Sequence, residues 1–178
     1  MKIKFHAFNR VFVTVFDWKK QKDEIYGYDN KVYGLGYIVT IDYDRLELDW
    51  VIAEALELQE LYGLSHFYIF ETNKGYHAVC FDKVPLTTFV SILKNSSCDP
   101  NYLDIPLKFG KLNWVLRFSE KDGKRPKFVK VVLSTRCNYK KSKAHIDTLC
   151  KFYPEIEEII SRENEDNSTK IGLANYRI

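Results

Sequence analysis

His66-Phe-Tyr-Ile-Phe-Glu-Thr-Asn-Lys-Gly-Tyr-His-Ala-Val-Cys-Phe81 is the stretch on which the fold class turns. Its halves, His66 to Glu71 and Tyr76 to Phe81, are aromatic and β-branched, as strands are. Asn73-Lys-Gly75 between them is turn chemistry, so the stretch reads as a β-hairpin. Working outward, Leu48 to Tyr62 carries Val51, Ile52, Ala55, Leu58 and Leu61 at helical spacing and stops at Gly63, a natural C-cap. Before it, Tyr37 to Asp44 is a strand bounded by Gly34 and Gly36, and Lys2 to Phe16 reads as one or two strands. After the hairpin, Leu86 to Lys94 reads as a helix and Tyr102 to Leu107 as a short strand, although Pro106 sits poorly in one. Asn113 to Ser119 and Phe128 to Leu133 read as a second hairpin around Asp122-Gly123. Ser142 to Phe152 and Glu155 to Arg162 complete the pattern as helices. Helices set among hairpins, without regular βαβ repeats, give an α/β or α+β fold. The expected organisation is one domain, 1–163, with a polar tail, 164–178.

Composition bounds what such a chain can do. Its 178 residues suffice for one domain with a real core, and 46% hydrophobic with 15% aromatic residues excludes a disordered chain. No apolar run approaches the length of a membrane span, and Met-Lys-Ile-Lys-Phe-His lacks the pattern of a secretory signal. A cytoplasmic protein without membrane partners is therefore expected, including one carried by a virus or plasmid that acts in the cytoplasm. The net charge is only +3, but its distribution is uneven. From Lys121 to Lys143 the cations face a single acid, Asp122, which is how a polyanion-binding face looks in sequence. Cys80, Cys98, Cys137 and Cys150 are scattered and lack zinc-ligand spacing, so reduced thiols and no zinc are expected.

The chemistry-bearing pattern begins at Tyr37-Ile-Val-Thr-Ile-Asp-Tyr-Asp44. Residues two apart on a strand share a face, so Asp42 and Asp44 stand side by side, ~7 Å apart at Cα. Two such carboxylates can hold a pair of divalent ions. The turn of the central hairpin then offers backbone amides, Lys74 and the His77 imidazole as a cradle for phosphate oxygens.

A strand ending in hydrophobic-Asp-hydrophobic-Asp, followed by a turn and a strand bearing histidine, resembles the archaeo-eukaryotic primase superfamily. In that family the first motif supplies two metal-binding acids, matched here by Asp42 and Asp44. The second has a Ser/Thr-Gly-x-Gly-x-His character and contacts the nucleotide. Here it is Thr72-Asn-Lys-Gly-Tyr-His77, with Thr72 for the usual serine and the first glycine missing. The third is a single acid on a later strand, for which Asp104 is the choice and Asp99 the competitor. Cys98-Asp-Pro100 reads as a helix cap with proline in the first position. The family's basic strand and Ser-, Lys- and Gly-containing turn are matched by Leu112 to Gly123, which makes Arg117 and Lys121 candidates for triphosphate contacts.

The resemblance covers roughly 36–133 and implies a minimal catalytic core with a mixed or antiparallel, RRM-like sheet and flanking helices. It implies a primase or DNA polymerase that joins NTPs or dNTPs on single-stranded or primed DNA. Asp42, Asp44 and Asp104 would hold two Mg²⁺ or Mn²⁺ ions, and Thr72, Lys74, His77, Arg117 and Lys121 would hold the nucleotide. The basic Lys124 to Lys143 region would follow the template, and a helicase or large primase subunit would be a partner. The alternative is a catalytically inactive nucleic-acid-binding replication module of the same fold, with Tyr76 stacking on bases. A nuclease acting through a tyrosine would need paired metal-binding histidines, which His6, His66, His77 and His145 do not offer.

Overall fold

A computed structural model describes residues 2–7, 10–15, 27–32 and 36–161. The strands are β1 (Lys2–Ala7), β2 (Arg10–Val15), β3 (Gly27–Asp29), β4 (Lys31–Val32), β5 (Gly36–Asp44), β6 (Phe67–Glu71), β7 (Gly75–Val84), β8 (Val115–Arg117) and β9 (Lys127–Val132). The helices are α1 (Leu48–Tyr62), α2 (Leu86–Lys94), α3 (Pro100–Lys108) and α4 (Lys143–Phe152), followed by a last helix over 154–161. The principal sheet has the order β4-β5-β7-β6-β9, with every neighbouring pair antiparallel. β1 pairs with β2 and β3 with β8, also antiparallel. The fold is therefore α+β, with the central hairpin formed by β6 and β7 as expected from its turn. None of the described helices is long and apolar enough to cross a membrane. The polar tail lies outside the described residues, as does Gly34.

Alternation along β5 sorts the sheet into two faces. Tyr37, Val39, Ile41 and Tyr43 join one core with Val51, Ala55 and Leu58 of α1 and with Phe89, Ile92 and Leu93 of α2. Ile38 faces the other way, into a second core with Tyr68, Phe70, Val79, Phe81, Leu116, Phe118 and Leu149. The series begun by Ile38 continues as Thr40, Asp42 and Asp44, so the same face turns polar toward the end of β5. Apolar cover stops there, and the candidate site begins.

Two glycines shape the connections, Gly63 at the far end of the sheet and Gly75 beside the polar end of β5. α1 closes at Gly63, whose φ of 66° is left-handed and whose N–H bonds to the Gln59 carbonyl. Gly75 stands opposite Asp44 in the β5–β7 register, and a Cβ on it would run into the Tyr43 carbonyl oxygen. We expect Gly75→Ala to cost about 1–3 kcal/mol in urea unfolding, because the clash is with backbone that cannot rotate away.

Two expectations are corrected. Tyr102 to Leu107 is helical, inside α3, because the Asp99 side chain accepts from the Asn101 N–H and Pro100 occupies the first turn. Pro106 is carried within the same helix. The second hairpin also does not form as a ladder. Lys121 and Lys124 exchange backbone bonds of 2.9 and 3.1 Å, with Asp122 at φ 53° and Gly123 at φ 77°, a two-residue turn of the I′ kind. Pairing goes no further, since Pro126, which has no N–H, would stand next in the ladder opposite Ser119. β8 pairs instead with β3, and β9 with β6.

His145 ties α4 to β3. Its Nδ1 lies 2.7 Å from the Ser142 hydroxyl and its Nε2 3.0 Å from the Asp29 carbonyl oxygen. Burial lowers its pKa from the ordinary value, outweighing the Asp29 contacts that raise it. The unfolded chain then takes up the proton first as pH falls. The stability held by the neutral ring is fully present above ~6.5 and is lost as pH falls through the folded pKa. Between pH 7.5 and 5.5 the urea midpoint should fall more in the wild type than in His145→Asn. Whatever the two proteins share cancels, so the difference isolates this ring.

Candidate active site

The polar end of β5 opens into a cavity of about 200 Å³. Its acidic wall is Asp42 and Asp44. Asp42 stands opposite His77 in the β5–β7 register, and His77 Nε2 lies 3.3 Å from Asp42 Oδ1. The His77 ring packs edge-on against Phe118, with centroids 5.7 Å apart, which fixes its plane. Its second nitrogen, Nδ1, is buried without a hydrogen-bond partner.

Four cations line the same cavity. Lys74 comes from the β6–β7 turn, Arg117 from the end of β8, and Lys121 and Lys124 from the turn after it. Leu116 and Phe118 are drawn into the core, so the intervening Arg117 and the following Ser119 are left for the cavity. Asn73 donates from Nδ2 to the Lys121 carbonyl oxygen at 2.8 Å and joins the two turns across the top. None of the four cations makes an ion pair with Asp42, Asp44 or Asp122 among the described residues, although all seven groups line one cavity. The buried Ser119 hydroxyl, also lining this cavity, has no hydrogen-bond partner either.

Of the residues named from sequence, Asp42, Asp44, Thr72, Lys74, His77, Arg117 and Lys121 meet in this cavity. Thr72 is placed differently in one respect. Its Oγ1 accepts from the Lys74 and Gly75 N–H groups at 3.3 and 3.1 Å. Those turn amides are therefore committed to Thr72 and do not form the expected cradle, which is built from side chains. Asp104 is set apart. It is exposed on α3 and lines neither this cavity nor the groove beside α3. Asp99 lies closer, with its N–H bonded to the Asp42 carbonyl oxygen at 2.7 Å and its side chain in the groove that Asp42 also lines.

Asn73, Ser119, Asp122 and Lys124 were not singled out as parts of this cavity from sequence. For Ser119 the in–out alternation of Leu116-Arg-Phe-Ser119 was an available signal. Nothing local announces the contact of Asn73 with a turn far along the chain. The basic segment also does not form one face. Arg125 lies over the rings of Phe152 and Tyr153, at 5.3 and 5.7 Å, and donates to the Phe118 carbonyl. Arg136 pairs with Glu60.

The cysteines are free thiols. Burial pushes Cys98 up to about 11 and Cys80 far up from the ordinary value, so both are protonated at neutral pH.

Among the described residues no three His, Cys, Asp or Glu side chains are grouped to hold a metal ion. The acids present still suit a hard cation. Mg²⁺ commonly takes one or two carboxylates and completes its shell with water and substrate phosphates. The Asp44 carboxylate has no hydrogen bond or ion pair among the described residues, and the Asp42 carboxylate has only His77, so carboxylate oxygens remain available. Comparison with family models, curated proteins and solved structures gave no match.

Proposed function

We propose that the protein is a template-dependent nucleotidyltransferase, a primase or DNA polymerase that joins NTPs or dNTPs on DNA. One observation carries the reading: two carboxylates on one strand end and four cations line one cavity without ion-pairing with one another. Because neither set is engaged by the other, both remain available to a ligand that carries charge of both signs. A metal–polyphosphate complex is such a ligand, since its cation suits the aspartates and its anionic oxygens suit the lysines and Arg117.

Mg²⁺ or Mn²⁺ on Asp42 and Asp44 would supply a Lewis acid that activates the attacking hydroxyl and offsets charge on the leaving pyrophosphate. The chain's own part is positioning. Arg117 offers a planar fork to two phosphate oxygens, while Lys74, Lys121 and Lys124 act as point charges toward the terminal phosphates. His77, oriented by Asp42 and Phe118, holds the Asp42 carboxylate in place through Nε2. In the reaction the 3′-oxygen bonds to the α-phosphorus, the bond from that phosphorus to the bridging oxygen breaks, and pyrophosphate leaves. The hydroxyl proton passes to solvent. Catalysis of this kind rests on orientation and charge.

The likeness to the primase superfamily in motif order supports the reading, and with it an RRM-like description of the sheet, a cytoplasmic site of action and partners among replication proteins. The competing reading, a non-catalytic binding module, leaves Asp42 and Asp44 without a role on a surface meant for a polyanion. The deciding experiment is primer extension with the purified chain, Mn²⁺, a primed template and labelled dNTPs. Incorporation by the wild type and none by Asp42→Asn/Asp44→Asn is the expected result. DNA binding with no incorporation by the wild type replaces this reading with the binding module.

A further inference from the structure

Asp42 is shared between the cationic cavity and a second, larger groove of about 470 Å³ beside α3. The two differ in chemistry. The groove is walled largely by Tyr102, Ile105, Pro106, Trp114 and Val115, with Lys111 as its cation. Ile105 and Val115 are 50% and 47% exposed, an apolar surface left uncovered beside a charged site. The Trp114 indole N–H is buried in this wall without a hydrogen-bond partner.

The groove is bolted to the acidic strand. The Tyr102 and Thr40 hydroxyls are 2.7 Å apart, and Thr40 precedes Asp42 on the same face of β5. The Asp99 N–H bonds to the Asp42 carbonyl oxygen at 2.7 Å. The position of α3 relative to the Asp42 carboxylate is thus fixed through two hydrogen bonds.

We infer that this groove seats the 3′-terminal nucleoside of the strand being extended, an inference that rests on the nucleotidyltransferase reading. In-line displacement requires the attacking and leaving oxygens on opposite sides of the α-phosphorus. Pyrophosphate departs toward Lys74, Lys121 and Lys124, so the attacking hydroxyl arrives from the other side of Asp42. That side is the groove. A nucleobase matches the exposed apolar surface of Ile105 and Val115, which packs against any base without reading its sequence. Lys111 is placed to meet a backbone phosphate of the same strand.

The test uses the full chain with Mn²⁺ and a primed template whose 3′-terminal residue is 4-thiothymidine. On irradiation the terminal base should crosslink within 101–115. In steady-state extension, Ile105→Asp/Lys111→Glu should raise KM for primed template at least tenfold and leave KM for dNTP within twofold; both side chains are surface groups of the groove, so folding is not at stake. Crosslinks within 72–77 or 117–124, or a variant that raises only KM for dNTP or neither constant, overturn the assignment. A wild type that crosslinks within 101–115 but incorporates nothing sinks the polymerase reading and keeps the groove as a strand-end site. A wild type that incorporates and crosslinks elsewhere does the reverse.

Discussion

Asp42→Asn is expected to lower nucleotide incorporation by about 10³-fold or more while leaving the fold intact and DNA binding undiminished. The size follows from what is removed. A carboxylate that holds a cation against a developing negative charge contributes several kcal/mol to the barrier, and ~4 kcal/mol is a factor of 10³. Asparagine is the informative replacement because His77 Nε2, 3.3 Å from Asp42 Oδ1, keeps an acceptor. Alanine would leave both nitrogens of a buried ring unpaired, since Nδ1 already lacks a partner, and would confuse lost chemistry with lost stability.

Binding should move the other way. Removing a negative charge from a cavity that also holds Lys74, Arg117, Lys121 and Lys124 makes it more attractive to a polyanion. Incorporation down and DNA affinity level or up is the signature of a metal-holding acid. If both fall together, Asp42 is a structural residue; if neither moves, it is a surface carboxylate. Single-turnover extension and filter binding, at one salt concentration, separate the three.

The parts of this site that were legible in the sequence are those encoded by strand periodicity and turn chemistry. The period of two in a strand puts Asp42 and Asp44 on one face at the end of Tyr37 to Asp44, and this could be read before any fold was known. Asn73-Lys-Gly75 announced the hairpin that sets His77 opposite Asp42. What failed was local signal overridden by a neighbour. Tyr102 to Leu107 has the residues of a short strand, yet the cap at Asp99 with proline behind it starts a helix that runs through it. Asp122-Gly123 did make the expected turn, but pairing partners lie far away in sequence, and β3 and β6 took the strands on either side. The Thr72 hydroxyl claims the turn amides through a side-chain choice that spacing does not encode.

Correcting that strand changes which acid should matter besides Asp42 and Asp44. The case for Asp104 depends on its standing on a strand beyond the His77 strand. On α3 it is exposed and lines neither cavity, so Asp104→Asn should leave incorporation within twofold of the wild type. Asp99 begins the helix, lines the groove that Asp42 lines, and is hydrogen-bonded through its N–H to the Asp42 carbonyl oxygen. Its side chain caps α3 through the Asn101 N–H, which raises the objection that any substitution acts by fraying the helix. Asparagine answers it, because Asn and Asp cap about equally well. Asp99→Asn should therefore keep the urea midpoint and lower incorporation by ~10², the scale expected when one charged group is withdrawn from a preorganised site. Equal and small effects of the two substitutions would restrict the acidic machinery to β5 alone. A large loss in Asp104→Asn with none in Asp99→Asn would require α3 to present a different face to Asp42 when the protein works.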